Sequence, residues 1–121
     1  MPFEPIKVAY TRHPTITIDK YGRIRISKAA LNELGWRPYQ LVVCSVDADY
    51  MRIGLARQEL AKVPNATPSK IDSRGYLHRI GRGIVDKLAL NLSKAPFKFE
   101  YAGPVDDGGT RWYAFDLVKE R

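Results

Sequence analysis

The 121 residues include one cysteine, two histidines and two methionines, and each scarcity removes a class of chemistry. A lone Cys44 excludes an internal disulfide framework. It stands in the apolar run LVVCSV and reads as a buried thiol, since a reactive one needs an activating environment that the sequence does not display. His13 and His78 lie far apart, without the Cys/His spacing of a metal site. No apolar run approaches the roughly 20 residues that span a bilayer, and the opening MPFEPIKVAYTRHP lacks the continuous apolar core of a secretory signal. The expectation is a soluble, cytoplasmic protein that makes no membrane contact. The GRG at 81–83 has neither a Walker pattern nor a dinucleotide fingerprint around it. No nucleophile stands beside a base, and no carboxylate pair argues for catalysis: Asp106 and Asp107 read as hairpin-turn residues. An enzyme, a metal and a cofactor are therefore not expected.

What the chain has in excess is positive charge. Twenty Lys and Arg stand against 13 Asp and Glu, a formal net charge of +7. That balance favours a polyanionic partner, nucleic acid or an acidic protein surface, and the distribution of the charge has to decide which. With 45% apolar and 27% charged residues and no low-complexity tract, the chain has a globular composition and the size of one domain, or of two small units sharing a core.

The periodicity is that of short strands and short helices. TITID alternates, KYG turns, and RIRI alternates again, with Ile24 and Ile26 on one face and Arg23 and Arg25 on the other. Ser27 is placed to cap KAALNELGW, whose apolar face is Ala30, Leu31 and Leu34, and Gly35 supplies a left-handed stop. QLVVCSV and MRIGLA then form a hairpin around the acidic turn DADY. RQELAKVPNATPS, with two prolines, reads as a linker whose first residues form a helical turn. After it the pattern restarts: KIDSRGYLHRI repeats the strand and turn, and GRGIVDKLAL the helix, with Ile84, Val85 and Leu88 as its apolar face. FKFEYAG, PVDDGG and TRWYAFDL repeat the hairpin.

Laid on each other, the halves pair Ile18 with Ile71, Asp19 with Asp72, Gly22 with Gly75 and Ile24 with Leu77. After one inserted residue the pairing continues as Ile26 with Ile80, Lys28 with Arg82, Leu31 with Val85 and Leu34 with Leu88. The order of elements and the apolar positions coincide, which marks an internal duplication. A unit of this size cannot bury its own apolar face, so the copies are expected to pack on each other about a pseudo-twofold axis.

TIDKYGRIRISKAALNELGW…LVVCSVDADYMRIGL resembles the SpoVT/AbrB-like swapped-hairpin family, through Asp19, Gly22, Arg23, Ile26, Leu34, Gly35 and Trp36. Two copies in one chain are similar to the MraZ arrangement. Ser27 stands where members usually have proline, Leu31-Asn32 where many have helical arginines, and Tyr76 where the second signature arginine falls. The resemblance implies an α+β fold over residues 1–121 in a single domain. Within it, a first unit at 15–56, a linker at 57–68 and a second unit at 69–117 form one pseudo-twofold swapped-hairpin β-barrel of two tandem β-turn-β/short helix/hairpin units. It further implies a transcription regulator that binds double-stranded DNA through the basic face of its paired units, is nucleoid-associated, and forms a homo-oligomer.

Lys20, Arg23, Arg25 and Lys28 occur within nine residues without an intervening acid, and Arg74, His78, Arg79, Arg82 and Lys87 crowd the equivalent elements. Paired copies would join the two clusters into one surface, with Lys20, Arg23, Arg25, Lys28, Arg74, Arg79 and Arg82 as the DNA contact set. Competing readings stand beside this one. The spacing also permits an ion pair between Arg23 and Asp19 that braces the turn, and Arg25, Lys28 and Arg82 also fit a solvated face. An acidic protein of the transcription machinery, docked on the same scaffold, is the alternative partner. Trp112 and Phe115 read as core or cross-strand residues. Tyr21 and Tyr76, at the turns beside the arginines, are the exceptions among the tyrosines. Residues 1–14, with Lys7 and Arg12, fit either an edge strand or a basic arm.

Overall fold

The computed structural model describes residues 3, 13–57 and 68–118. The edge strand or basic arm expected at the N-terminus, including Lys7 and Arg12, and the helical turn expected in the linker lie outside these residues. Of the linker expected over 57–68, Arg57 instead completes a strand.

Strand alternation builds the core directly. In β1 (Thr15–Ile18) and β2 (Ile24–Ile26), Ile16, Ile18, Ile24 and Ile26 are at most 1% exposed, while Arg25 between them is exposed. The chain then enters α1 (Lys28–Leu34). Its cap, Ser27, accepts hydrogen bonds from the N–H groups of Ala30 and of Thr15, both at 3.0 Å, so one hydroxyl starts the helix and ties it to β1. Gly35, at φ 69°, ends the helix and donates its N–H to the carbonyls of Asn32 and Leu31. Only seven residues long, α1 is held by packing of Ala30 and Leu31 into the core.

β3 (Leu41–Asp47) and β4 (Arg52–Arg57) form the first hairpin. The second half supplies β5 (Ser69–Lys70), β6 (Tyr76–Leu77), α2 (Gly81–Lys87), a 3-10 turn at Leu92–Lys94, and the long hairpin of β7 (Phe97–Asp107) and β8 (Thr110–Leu117). The apolar face expected for α2 is the observed one, with Ile84, Val85 and Leu88 buried. Asp106 and Asp107 are strand residues, not turn residues. Gly108 and Gly109, at φ 59° and 79°, make the two-residue turn alone, because that turn needs positive φ at both positions.

Among the described residues, the eight strands form one antiparallel sheet in the order β5-β3-β4-β8-β7-β1-β2-β6. An isolated bridge between Ile71, next to β5, and Leu77 of β6 brings its two edges together, so the sheet is barrel-like. The fold is thus α+β, with the described residues forming two short helices on a barrel-like sheet. Neither half pairs only with itself. β1 lies between β2 and β7, β5 pairs with β3, and β2 pairs with β6 through Ile24↔Leu77 and Arg25↔Tyr76. Phe99, Phe115, Leu55 and Ile53 join the isoleucines in one core drawn from both halves. Trp112 instead forms a smaller cluster with Val43 and Ala56, on the face of the sheet opposite its neighbour Tyr113. Among the described residues, no helix is long and apolar enough to cross a membrane.

Candidate nucleic-acid interface

Two aspartate turns position the basic residues. In the first, Asp19 Oδ1 accepts the N–H groups of Tyr21 and Arg23, both at 2.9 Å, and Gly22, at φ 76°, donates to the Asp19 carbonyl. In the second, Asp72 Oδ1 accepts the N–H groups of Arg74 and Tyr76, both at 2.8 Å, and Gly75, at φ 88°, donates to the Asp72 carbonyl. An aspartate that accepts from its own backbone two residues on, followed by a glycine free to take positive φ, is turn chemistry that the sequence carries twice.

The other carboxylate oxygen distinguishes the turns. Asp19 Oδ2 accepts from Arg23 Nε at 2.7 Å, so the bracing ion pair is present, with the Arg23 side chain 60% exposed. Asp72 Oδ2 lies 2.9 Å from His78 Nε2. Partial burial works to raise both carboxyls. Their backbone and side-chain donors outweigh it and hold both below the ordinary value of 3.8.

Arg25 reaches across the halves and donates from Nε to the Arg74 carbonyl at 3.0 Å. Rings lie between these charges. Lys20 and Arg23 stack over Tyr21 at 5.2 and 5.3 Å, and Arg23 and Arg25 both lie 5.7 Å from the Tyr76 ring. Tyr21 is 69% exposed and Tyr76 half-buried, so these two tyrosines belong to the charged surface.

A groove of about 540 Å³ opens beside this ladder, and Arg23, Arg74, Arg79 and Arg82 all line it, with His78, Tyr76 and the carboxylate-bearing Asp72. Four of the seven expected contact residues thus share one concavity. Arg25 adjoins it through Arg74 and Tyr76, Lys20 leans on Tyr21, and Lys28 is exposed at the start of α1, outside the groove lining. Lys87 lies elsewhere, at a smaller cleft with Cys44. Arg52 and Arg111 are neutralised on the sheet by Asp116 and Asp106. Among the described residues no carboxylate pairs with Arg25, Arg74, Arg79 or Arg82, and the same residues hold no His/Cys/Asp/Glu group suited to a metal ion.

Sequence reasoning missed the part played by Gly22 and Gly81. A Cβ on Gly81 would collide with the Gly22 carbonyl oxygen, so the floor of the groove is two backbones in contact. The signal was present as a glycine at the entrance to a helix, where it weakens the helix and a close approach explains it. Comparison of the chain with protein-family models, curated proteins and solved structures finds no match.

Proposed function

We propose that this protein binds double-stranded DNA through the arginine-lined groove and acts as a transcriptional regulator, on a scaffold of two tandem swapped-hairpin units of SpoVT/AbrB type. One observation carries the reading. Arg23, from the first half, converges with Arg74, Arg79 and Arg82, from the second, on one open groove, where the last three have no carboxylate partner among the described residues. Unpaired guanidinium groups on an exposed concave surface supply the counterion-releasing contacts that dominate affinity for a phosphate backbone.

The strand registers support the scaffold. Ile24 and Leu77 occupy equivalent places in the two halves and pair with each other, as residues on a twofold axis would. The pair Ile18↔Ile24 has its counterpart in Ile71↔Leu77, and Thr17↔Lys98 in Leu41↔Lys70. Exchanging β1 with β5, β2 with β6, β3 with β7 and β4 with β8 returns the same ring of neighbours. In this reading each closing hairpin lies against the opening strand of the other unit, residues 15–56 and 69–117 are the units, and the chain is one domain.

The test is fluorescence-polarisation binding to a random duplex and to its single strand across a salt series, with Arg23→Ala/Arg25→Ala alongside. Duplex binding that falls steeply with salt and weakens in the double variant is the expected result. Absence of duplex binding at low salt overturns the reading and leaves an acidic protein as the partner to seek.

A further inference from the structure

The basic surface is twofold in backbone and one-sided in chemistry. The aspartates and glycines of the two turns match, but the side chains around them do not. Lys20 is answered by Ser73, Tyr21 by Arg74, Arg23 by Tyr76 and Arg25 by His78. The first turn therefore carries its ring at the tip and its guanidinium groups on the strand, and the second carries the reverse. Arg79 has no counterpart at all. It is the inserted residue, held at φ 68° in the left-handed region that disfavours a side chain, and it faces the groove.

The arginines also divide by how they are held. Arg23 and Arg25 are each fixed through Nε, to Asp19 and to the Arg74 carbonyl, and each lies against tyrosine rings. Their terminal nitrogens remain as preset forks, the geometry that donates twice to the O6 and N7 of guanine in the major groove. Arg74, Arg79 and Arg82 have no such side-chain anchor among the described residues. They are exposed point charges on a groove, suited to phosphates.

We infer that the protein recognises a non-palindromic duplex site in one orientation, with Arg23 and Arg25 reading bases and Arg74, Arg79 and Arg82 gripping the backbone. The inference rests on the DNA reading above. A palindrome presents the same half-site twice, and among the described residues this surface has one set of anchored forks and one arginine groove to meet them.

The experiment is selection of bound sites from a random duplex library by the full chain, repeated with two variants whose folding is checked by circular dichroism. The expected motif differs from its own reverse complement. Arg23→Lys/Arg25→Lys keeps the charge but loses the forks, so it should flatten the motif and leave the salt slope unchanged. Arg74→Ala/Arg79→Ala/Arg82→Ala should keep the motif, while the slope of log affinity against log salt falls by about 2–3. A palindromic motif, or loss of the motif in the triple variant with the lysine variant unaffected, overturns the inference and leaves DNA binding standing. Failure to enrich any duplex overturns both.

Discussion

Ile26 donates its backbone N–H to the carbonyl of Gly75 at 2.7 Å, and the two backbones lie so close that a side chain on Gly75 would collide with the Ile26 carbonyl oxygen. At the entrance to α2, Gly81 makes a similar close approach from the other side, against the Gly22 carbonyl oxygen. Each aspartate turn thus packs its backbone against the strand-to-helix junction of the other half, and Gly22 and Gly81 line the groove where one of these contacts reaches the surface.

These contacts separate two glycines of the same short helix. Gly81→Ala should destabilise the protein by about 2–3 kcal/mol, the range of an overpacked contact that backbone cannot relieve. Gly83, two residues on, has open space around its Cβ position, and Gly83→Ala should stabilise by about 0.5–1 kcal/mol through helix propensity. Urea denaturation of both variants, read as opposite shifts in midpoint, checks the pair.

Arg79 should show stability and binding moving in opposite directions. Its φ of 68° is easy for glycine and costs an arginine about 1 kcal/mol. Arg79→Gly should therefore raise the thermal midpoint and lower duplex affinity. A variant that loses both would mean that the Arg79 side chain braces the fold.

Acid stability follows from the turns. Asp19 and Asp72 are both held below 3.8 in the folded protein. The unfolded chain therefore takes up these protons first as pH falls. The stability they contribute is complete above the ordinary aspartate range and drains away as pH drops through it toward the folded values. Asp19→Asn/Asp72→Asn keeps the turn acceptors without the titration. It should be less stable at neutral pH and lose less stability between about pH 5 and about pH 2, as urea midpoints across that range would report.

Cys44 should resist alkylation. It is half-buried, packs against the core, and burial pushes its thiol up to about 12 from 9.0. Iodoacetamide at pH 8 should label the unfolded chain and leave the native protein unmodified over the same interval. Fast native labelling would show that the helix α2 side of the cleft opens.

Local chemistry was readable from the sequence wherever one residue decides it. Ser27 and Gly35 bound α1 as their residue types dictate, and the Asp-Gly turns and isoleucine faces fall where alternation puts them. Asp106 and Asp107 misled because aspartate favours turns in general, while the adjacent Gly108-Gly109 satisfies this one with fewer residues. Arg25 was legible as an exposed strand cation, but its bond to the Arg74 carbonyl depends on the β2–β6 pairing between halves. For Arg23, residue spacing alone set bracing a turn against facing a ligand. One nitrogen does the first and leaves the other two for the second, a division below the resolution of residue spacing.

The placement of β7 beside β1 has a cost during synthesis. Chain leaves a ribosome at about 5–20 residues per second, so Thr15–Ile18 emerges seconds before Phe97–Glu100, the strand that will cover its second side. For that interval the nascent first half presents a bare, isoleucine-lined edge to whatever passes. A β7 from a neighbouring chain offers the same partner in the same register. Strand exchange between chains is the misassembly that this pairing leaves open, and slow translation through residues 58–96 is the condition that would expose it.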